Sequence, residues 1–257
     1  VYELYTVDDI FAADGTKLVD AGAKLATSDP TNDSGFTWFD VDVPIRAETY
    51  PDSGNSGKYR IVEITAPAGY LLDNSPIEVE FTYAGQEVAW QVVDGTNTNL
   101  RTTVNISKQD VTNGKELPGA KLEIRDADGK LIEDWTSAKT PHTVRGLELD
   151  KEYTLIEKRA PETYAEAENI VFKLVQVGNE QENEVYVKTG DTWEKLDDTT
   201  VVMQDAPVLD IDKVDAGGTL LPGATLTIRD EDKNVIDTWV TAVSYTHLRA
   251  HETCADL

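Results

Sequence analysis

The sequence predicts an all-β chain of tandem antiparallel β-sandwich repeats, and three observations carry that expectation. Apolar residues recur at every second position in short runs, the period of a strand with one buried face. Gly, Pro, Asn and Asp punctuate those runs, and no stretch sustains a helical stripe of useful length. The chain also repeats itself. Leu117-Pro-Gly-Ala-Lys-Leu-Glu-Ile-Arg-Asp-Ala-Asp-Gly-Lys-Leu-Ile-Glu-Asp-Trp135 returns as Leu221-Pro-Gly-Ala-Thr-Leu-Thr-Ile-Arg-Asp-Glu-Asp-Lys-Asn-Val-Ile-Asp-Thr-Trp239, identical at eleven of nineteen positions and offset by 104 residues.

Just upstream of those copies, Ile106-Ser-Lys108 returns as Ile211-Asp-Lys213. A second match joins the first and middle parts of the chain. Lys58-Tyr-Arg-Ile-Val-Glu-Ile-Thr-Ala-Pro67 with Tyr70 parallels Tyr153-Thr-Leu-Ile-Glu-Lys-Arg-Ala-Pro161 with Tyr164, which sets Glu63 and Glu157 94 residues apart. The units are therefore read as 1–100, a repeat without its beginning; 101–207, a complete repeat; 208–242, the first part of a third; and 243–257, a non-native tail.

In the complete repeat the first strand is expected over Val104–Asp110. Leu122 and Ile124 alternate with charged residues, Asp128-Gly129 is a hairpin signal, and Leu131 or Ile132 with Trp135 continue on the return strand. Tyr153–Glu157, Ile170–Val175, Glu184–Lys188 and Thr200–Met203 supply the remaining strands. In the first unit, Val1–Tyr5 aligns with the strand that follows a first strand. That unit carries a longer arm, with Asp14-Gly15, Gly35-Phe-Thr-Trp-Phe39 and the flexible Asp52-Ser-Gly-Asn-Ser-Gly57.

A formal charge of −25 over 257 residues argues against nucleic acid, whose phosphates such a surface repels. It suits a soluble, self-repelling surface protein. No apolar run approaches the length of a membrane span, so no membrane insertion is expected of these residues. No signal peptide is visible, but the chain opens on what reads as mid-domain strand, so this says little about a parent protein. The single cysteine, Cys254, excludes an intrachain disulfide, and a small secreted β-domain often needs a covalent staple. Any staple must use other chemistry.

Lys108, Glu157 and Asp205 supply it. Each sits on a separate expected strand, and together they are an amine, an acid/base and a carboxyl electrophile. A lysine carried into an apolar core is driven toward its neutral, nucleophilic form, and a carboxyl there is driven toward the neutral acid that an amine can attack. A second carboxyl between them can shuttle the protons. Loss of water leaves a side-chain amide. The reaction occurs once per molecule, so an enzyme with turnover is not expected.

At these residues the chain resembles the SpaA/CnaB-type, prealbumin-like repeats of Gram-positive surface adhesins and pilins. The middle unit matches over its whole length: the first-strand lysine, the Leu117-Pro-Gly-Ala turn, the Glu before Ala160-Pro161 and the Val201-Val-Met-Gln-Asp-Ala206 ending fall in family order. The resemblance implies an intramolecular isopeptide bond between Lys108 and Asp205, with Glu157 as its catalytic acid. The flanking units hold half-sites: Glu63 with Asn99 as acceptor but no first-strand lysine, and Lys213 with neither acid nor acceptor. Lys17, in a turn, is a poor substitute.

The implied role is structural, as stalk or shaft repeats of a bacterial adhesin or pilin-like protein, extracellular and anchored to the cell wall. Partners are then neighbouring repeats of the same chain, and in a parent protein host extracellular matrix or glycan; no cofactor or metal is expected. The alternative is a ligand-binding adhesin head that contacts host protein or glycan through the arm of the first unit. No pilin-type Tyr-Pro-Lys motif appears, since Tyr50-Pro51 is followed by Asp52.

Other patterns are weaker. Asp126-Ala-Asp-Gly129 lacks the rest of a calcium loop, Gly54-Asn-Ser-Gly-Lys58 has the wrong spacing for a phosphate loop, and His142 reads as a turn residue. Trp38, Trp90, Trp135 and Trp239 are expected in cores or junctions. Val243-Ser-Tyr-Thr-His-Leu-Arg-Ala-His-Glu-Thr253 resembles translated read-through of a sequencing adapter, and is expected to pack against nothing.

Overall fold

The computed structural model describes residues 1–12, 14–45, 55–82, 95–229, 231–242 and 247–249. The expectations at 50–54, at Trp90 and over 243–246 and 250–257 of the tail, Cys254 included, lie outside them. Among the described residues there are strands and turns and no helix, so the all-β expectation holds. The chain forms two compact units, one of residues 1–103, 144–150 and 174–185, the other of 104–143, 151–173 and 186–257. Two stretches of the middle repeat thus belong with the first repeat.

In the first unit, β1 (Tyr2–Thr6), β4 (Lys24–Thr27), β5 (Lys58–Glu63) and β6 (Ile77–Glu80) form an antiparallel sheet in the order β4-β1-β5-β6. Alternation places Leu4, Tyr59 and Val79 inward, where they meet Ile10 of β2 (Ile10–Phe11), itself paired with β3 (Lys17–Val19). Phe39 and Val43 anchor the arm against this core, and the Tyr59 hydroxyl donates to the Pro44 carbonyl at 2.5 Å. Three side-chain amides serve backbone groups in the same unit. Gln176 accepts from Leu72 N and donates to Leu72 O, Gln181 accepts from Leu100 N and donates to Thr98 O, and Asn183 does both at Thr103. Each substitutes for a missing strand partner, satisfying one donor and one acceptor.

The complete repeat comprises β7 (Thr103–Asp110), β8 (Lys121–Asp126), β9 (Leu131–Thr136), β10 (His142–Arg145), β11 (Tyr153–Arg159), β12 (Ile170–Gln176), β13 (Asn183–Thr189), β14 (Thr192–Lys195) and β15 (Thr200–Asp205). Six of these form the sheet β14-β13-β12-β11-β8-β9, and three form β10-β7-β15. Val104, Ile106, Leu122, Ile124, Leu155, Phe172, Val201 and Met203 are buried as the alternation requires. The β8–β9 turn closes because Asp126 Oδ1 accepts from the backbone N–H groups of Asp128 and Lys130, and Gly129 takes φ 79°. That carboxylate is engaged as a turn brace. His142 opens β10, where its ring stacks on Trp135 at 4.5 Å, so it is not the turn residue expected.

One pairing departs from the antiparallel expectation. β15 runs parallel to β7, with Thr200 opposite Asn105, Met203 opposite Lys108 and Asp205 opposite Asp110. In the last repeat, β17 (Thr225–Arg229) and β18 (Val235–Val240) reproduce the β8–β9 hairpin: Leu226 faces Trp239 as Leu122 faces Trp135. The tail does not behave as expected throughout. β19 (His247–Arg249) pairs antiparallel with β16 (Val208–Asp210), which leaves the backbone of that segment hydrogen-bonded. Trp38 also differs from expectation, being 66% exposed.

Candidate functional site

Lys108, Glu157 and Asp205 come together inside the second compact unit. Their strands explain it. In β7, Val104, Ile106 and Lys108 share the inward face; in β15, Val201, Met203 and Asp205 do; and β11 brings Glu157 from the other sheet in the pattern Tyr153, Leu155, Glu157. Each therefore occupies the position where alternation calls for an apolar residue. Side-chain exposure is 1% for Lys108 and 0% for both Glu157 and Asp205.

Lys108 Nζ is in direct contact with Asp205 Oδ1 and stands 3.1 Å from Glu157 Oε1. Glu157 is aimed by its other oxygen, Oε2, which accepts from the Ala167 backbone N–H at 2.7 Å. Glu157 Oε1 and Asp205 Oδ2 make no hydrogen bond to a fixed donor, and both are buried. Burial pushes the Asp205 carboxyl up to about 7; Lys108 pulls against the rise and Glu157 adds to it. The shift is toward the neutral acid, which is the form an amine attacks.

The lysine strand is also braced from outside. Glu116 accepts from Ser107 Oγ at 2.5 Å and from Lys108 N at 3.3 Å, while the Lys108 carbonyl takes the Leu117 N–H at 2.7 Å. Sequence reasoning missed Glu116, and the repeat gives no signal for it, because Leu220 stands at the matching place in the third unit. Among the described residues no cluster of potential metal ligands forms.

The half-sites divide. Glu63 and Asn99 do meet: Glu63, 3% exposed, accepts from Asn99 Nδ2 at 2.5 Å and from the Asp73 N–H at 3.2 Å. Asp73 lies ten residues after Glu63, as Ala167 lies ten after Glu157, so the acid is oriented in the same way in both repeats. Lys17 is elsewhere, held at the surface by Asp20 at 2.6 Å and Asp9 at 3.7 Å. Lys213 keeps the backbone bond of its counterpart, accepting from Leu221 N at 2.8 Å, but it is exposed.

The chain is similar to the Bacillus anthracis TIE protein (22% identity over 97% of this chain and 40% of that one, TM-score 0.40). It is similar too to a C-terminal fragment of the pilus adhesin SpaC from Lactobacillus rhamnosus GG (19% identity, 83% and 90% coverage, TM-score 0.40). A pilus-presented adhesin, Cpa, matches at 28% identity over 37% of this chain and 27% of its own, with TM-score 0.29. The chain thus spans well under half of the TIE and Cpa chains. No curated protein matches it. The SpaA prealbumin-like fold domain matches residues 49–96 and 102–191, more than half of the sequence, and the chain belongs to that family.

Proposed function

We propose that these are stalk repeats of a bacterial cell-surface adhesin or pilin-like protein, stiffened by an isopeptide bond between Lys108 and Asp205. The observation that carries this reading is the dry contact of Lys108 Nζ with Asp205 Oδ1 beside Glu157. A permanent ion cluster in that place is energetically poor, since desolvation of buried charges offsets their attraction. A covalent amide removes two of the three ionisable groups.

The chemistry balances within the chain. Neutral Nζ attacks Cγ of protonated Asp205, Glu157 takes a proton from the nitrogen and delivers one to the departing hydroxyl, and a C–N bond replaces a C–O bond with release of one water. No oxidant, metal or cofactor is required. The residues act once, so the assembly is self-processing and not an enzyme with turnover. The protein would sit outside the cell, wall-anchored in a Gram-positive parent, with neighbouring repeats as its partners.

Intact mass tests it. The folded chain is expected to weigh one water less than its sequence, and Lys108→Ala to weigh its full sequence mass. A folded parental chain at full sequence mass would sink the crosslink.

A second reading has one observation in its favour. Phe36 and Trp38 are 69% and 66% exposed on the arm of the first repeat, two large rings held out by a loop that Asn32 braces through Ser34 N and Phe36 N. Such a display suits contact with host protein or glycan. Binding of the chain to matrix-protein and glycan panels that survives combined Phe36→Ala and Trp38→Ala substitution excludes the arm as the contact.

A further inference from the structure

The loop that follows the acid strand is built identically in both repeats and latches onto the chain just beyond the acceptor. In the first repeat, Leu71 N donates to Leu100 O at 2.8 Å, Thr102 N donates to Gly69 O at 3.1 Å, and Tyr70 bridges Arg101. In the second, Ala165 N donates to Ala206 O at 3.0 Å, Val208 N donates to Thr163 O at 2.7 Å, and Tyr164 bridges Pro207. The two tyrosines are thus equivalent, each bridging the residue two past its acceptor, Asn99 or Asp205.

Their hydroxyls do different things. Tyr70 OH accepts from Arg101 Nε at 3.1 Å, a contact within the latch itself. Tyr164 OH instead donates to Asp110 Oδ2 at 3.0 Å, reaching the last residue of the lysine strand β7. Asp110 is a fixed acceptor: Thr112 N and Oγ1 donate to its Oδ1 and Asn113 Nδ2 to its Oδ2, and these bonds hold its carboxyl below the usual carboxylate range. Asp110 is also the residue directly opposite Asp205 in the β7–β15 register, and Val111 N closes the pair by donating to Asp205 O at 3.0 Å.

We propose that Tyr164 is a positioning residue for the crosslink: its hydroxyl ties the end of the lysine strand to the exit of the acceptor strand, so that Lys108 and Asp205 are presented to each other in one register. The proposal rests on the crosslinking reading. Tyr164 touches neither reacting atom. It acts through Asp110, at the end of the ladder where fraying of two parallel strands would otherwise begin.

The test separates folding from crosslinking. Full-length chain is translated directly into urea, so that it is unreacted, and then diluted to fold; tryptophan fluorescence follows folding and intact mass follows the loss of water. Tyr164→Phe is expected to fold at the parental rate yet shed water about fivefold more slowly, the population factor of one lost hydrogen bond. Asp110→Ala should slow water loss equally, and Asp110→Asn, which still offers the hydroxyl an acceptor, should recover most of the rate. A Tyr164→Phe chain that crosslinks at the parental rate overturns the proposal while leaving the crosslink intact. So does an Asp110→Ala chain that does. A parental chain that folds and never loses water overturns the crosslinking reading, and this one with it.

Discussion

Lys108 and Asp205 touch although they are not cross-strand partners. In the parallel register Lys108 lies opposite Met203, and Asp205 lies opposite Asp110, two positions further along. The pairing is diagonal on one face of the β7–β15 ladder, a separation that a long side chain spans and a short one does not. The four-carbon stem of lysine is what makes the contact, which is why an amine on so long an arm can meet an acceptor on so short a one.

If the contact matures to an amide, the identity of the leaving group becomes adjustable. Asp205→Asn offers the same carbonyl with ammonia in place of water as the leaving molecule. The crosslinked variant is therefore expected to have the same final mass as the crosslinked parent, although its starting sequence differs. Mass spectrometry of the two folded chains decides it, and unequal masses count against an amide at this position.

Glu157→Gln keeps the shape of the side chain and its bond from Ala167 N, and removes the ability to carry a proton. General acid–base assistance of this kind is worth about 10²–10⁴-fold in rate. Freshly folded variant should accumulate as uncrosslinked chain for long enough to be isolated. A variant that loses water as fast as the parent shows that Glu157 has no part in the proton transfers.

Lys108→Ala removes the amine of the proposed amide, which would join residues 97 apart in sequence. Closing a loop of that size contributes about 4–5 kcal/mol in the chain-entropy account, equivalent to a melting temperature roughly 20 °C higher for a domain of this size. A drop of a few degrees in the variant argues that no such bond existed.

The same variant has a pH signature. It takes away the influence that lowers the Asp205 carboxyl and leaves the two that raise it, burial and Glu157. An acid whose folded value lies above its unfolded value binds its proton more tightly when folded. Stability from this group is therefore full below the unfolded value of 3.8 and is lost as pH rises toward and through the folded value. The urea midpoint of Lys108→Ala should fall between about pH 5 and pH 8, and adding Asp205→Ala should flatten that fall. A midpoint that rises over this window, or one that falls equally in the double variant, assigns the effect elsewhere.

Gly69 and Thr163 occupy equivalent places in the two latches, at φ 79° and 69°. A Cβ on Gly69 would stand 2.4 Å from the Gly146 carbonyl oxygen, so Gly69→Ala meets both a clash and backbone strain and should cost about 1–3 kcal/mol. Thr163→Gly should stabilise by roughly 0.5–1 kcal/mol, because a side chain there already bears the strain. Denaturant melts of both variants check the pair, and effects of the same sign contradict the equivalence.

Much of this molecule was legible in its sequence for a physical reason. Alternation reports which face of a strand is buried, so Lys108, Glu157 and Asp205 stood out as charged residues at apolar positions. Alternation says nothing of strand direction, so the parallel run of β15 beside β7 was invisible. Gln176, Gln181 and Asn183 were missed because an amide that serves backbone leaves no periodic trace. Exposed Trp38 was misjudged as filling a core or junction because hydrophobicity alone does not say which rings an arm holds outward.

The parallel pairing has a consequence for force. The chain enters the repeat at the start of β7 and leaves it at the end of β15, so a pull on both ends slides two neighbouring strands past each other and loads their rungs in shear, all at once. If the proposed amide forms, tension would pass from Lys108 directly to Asp205 and the segment between them would carry none. Hairpins and surface loops of that segment that lie away from Glu157, Asp110 and Tyr164 would then bear no load, and could vary in sequence without lowering the resistance of the repeat to such a pull.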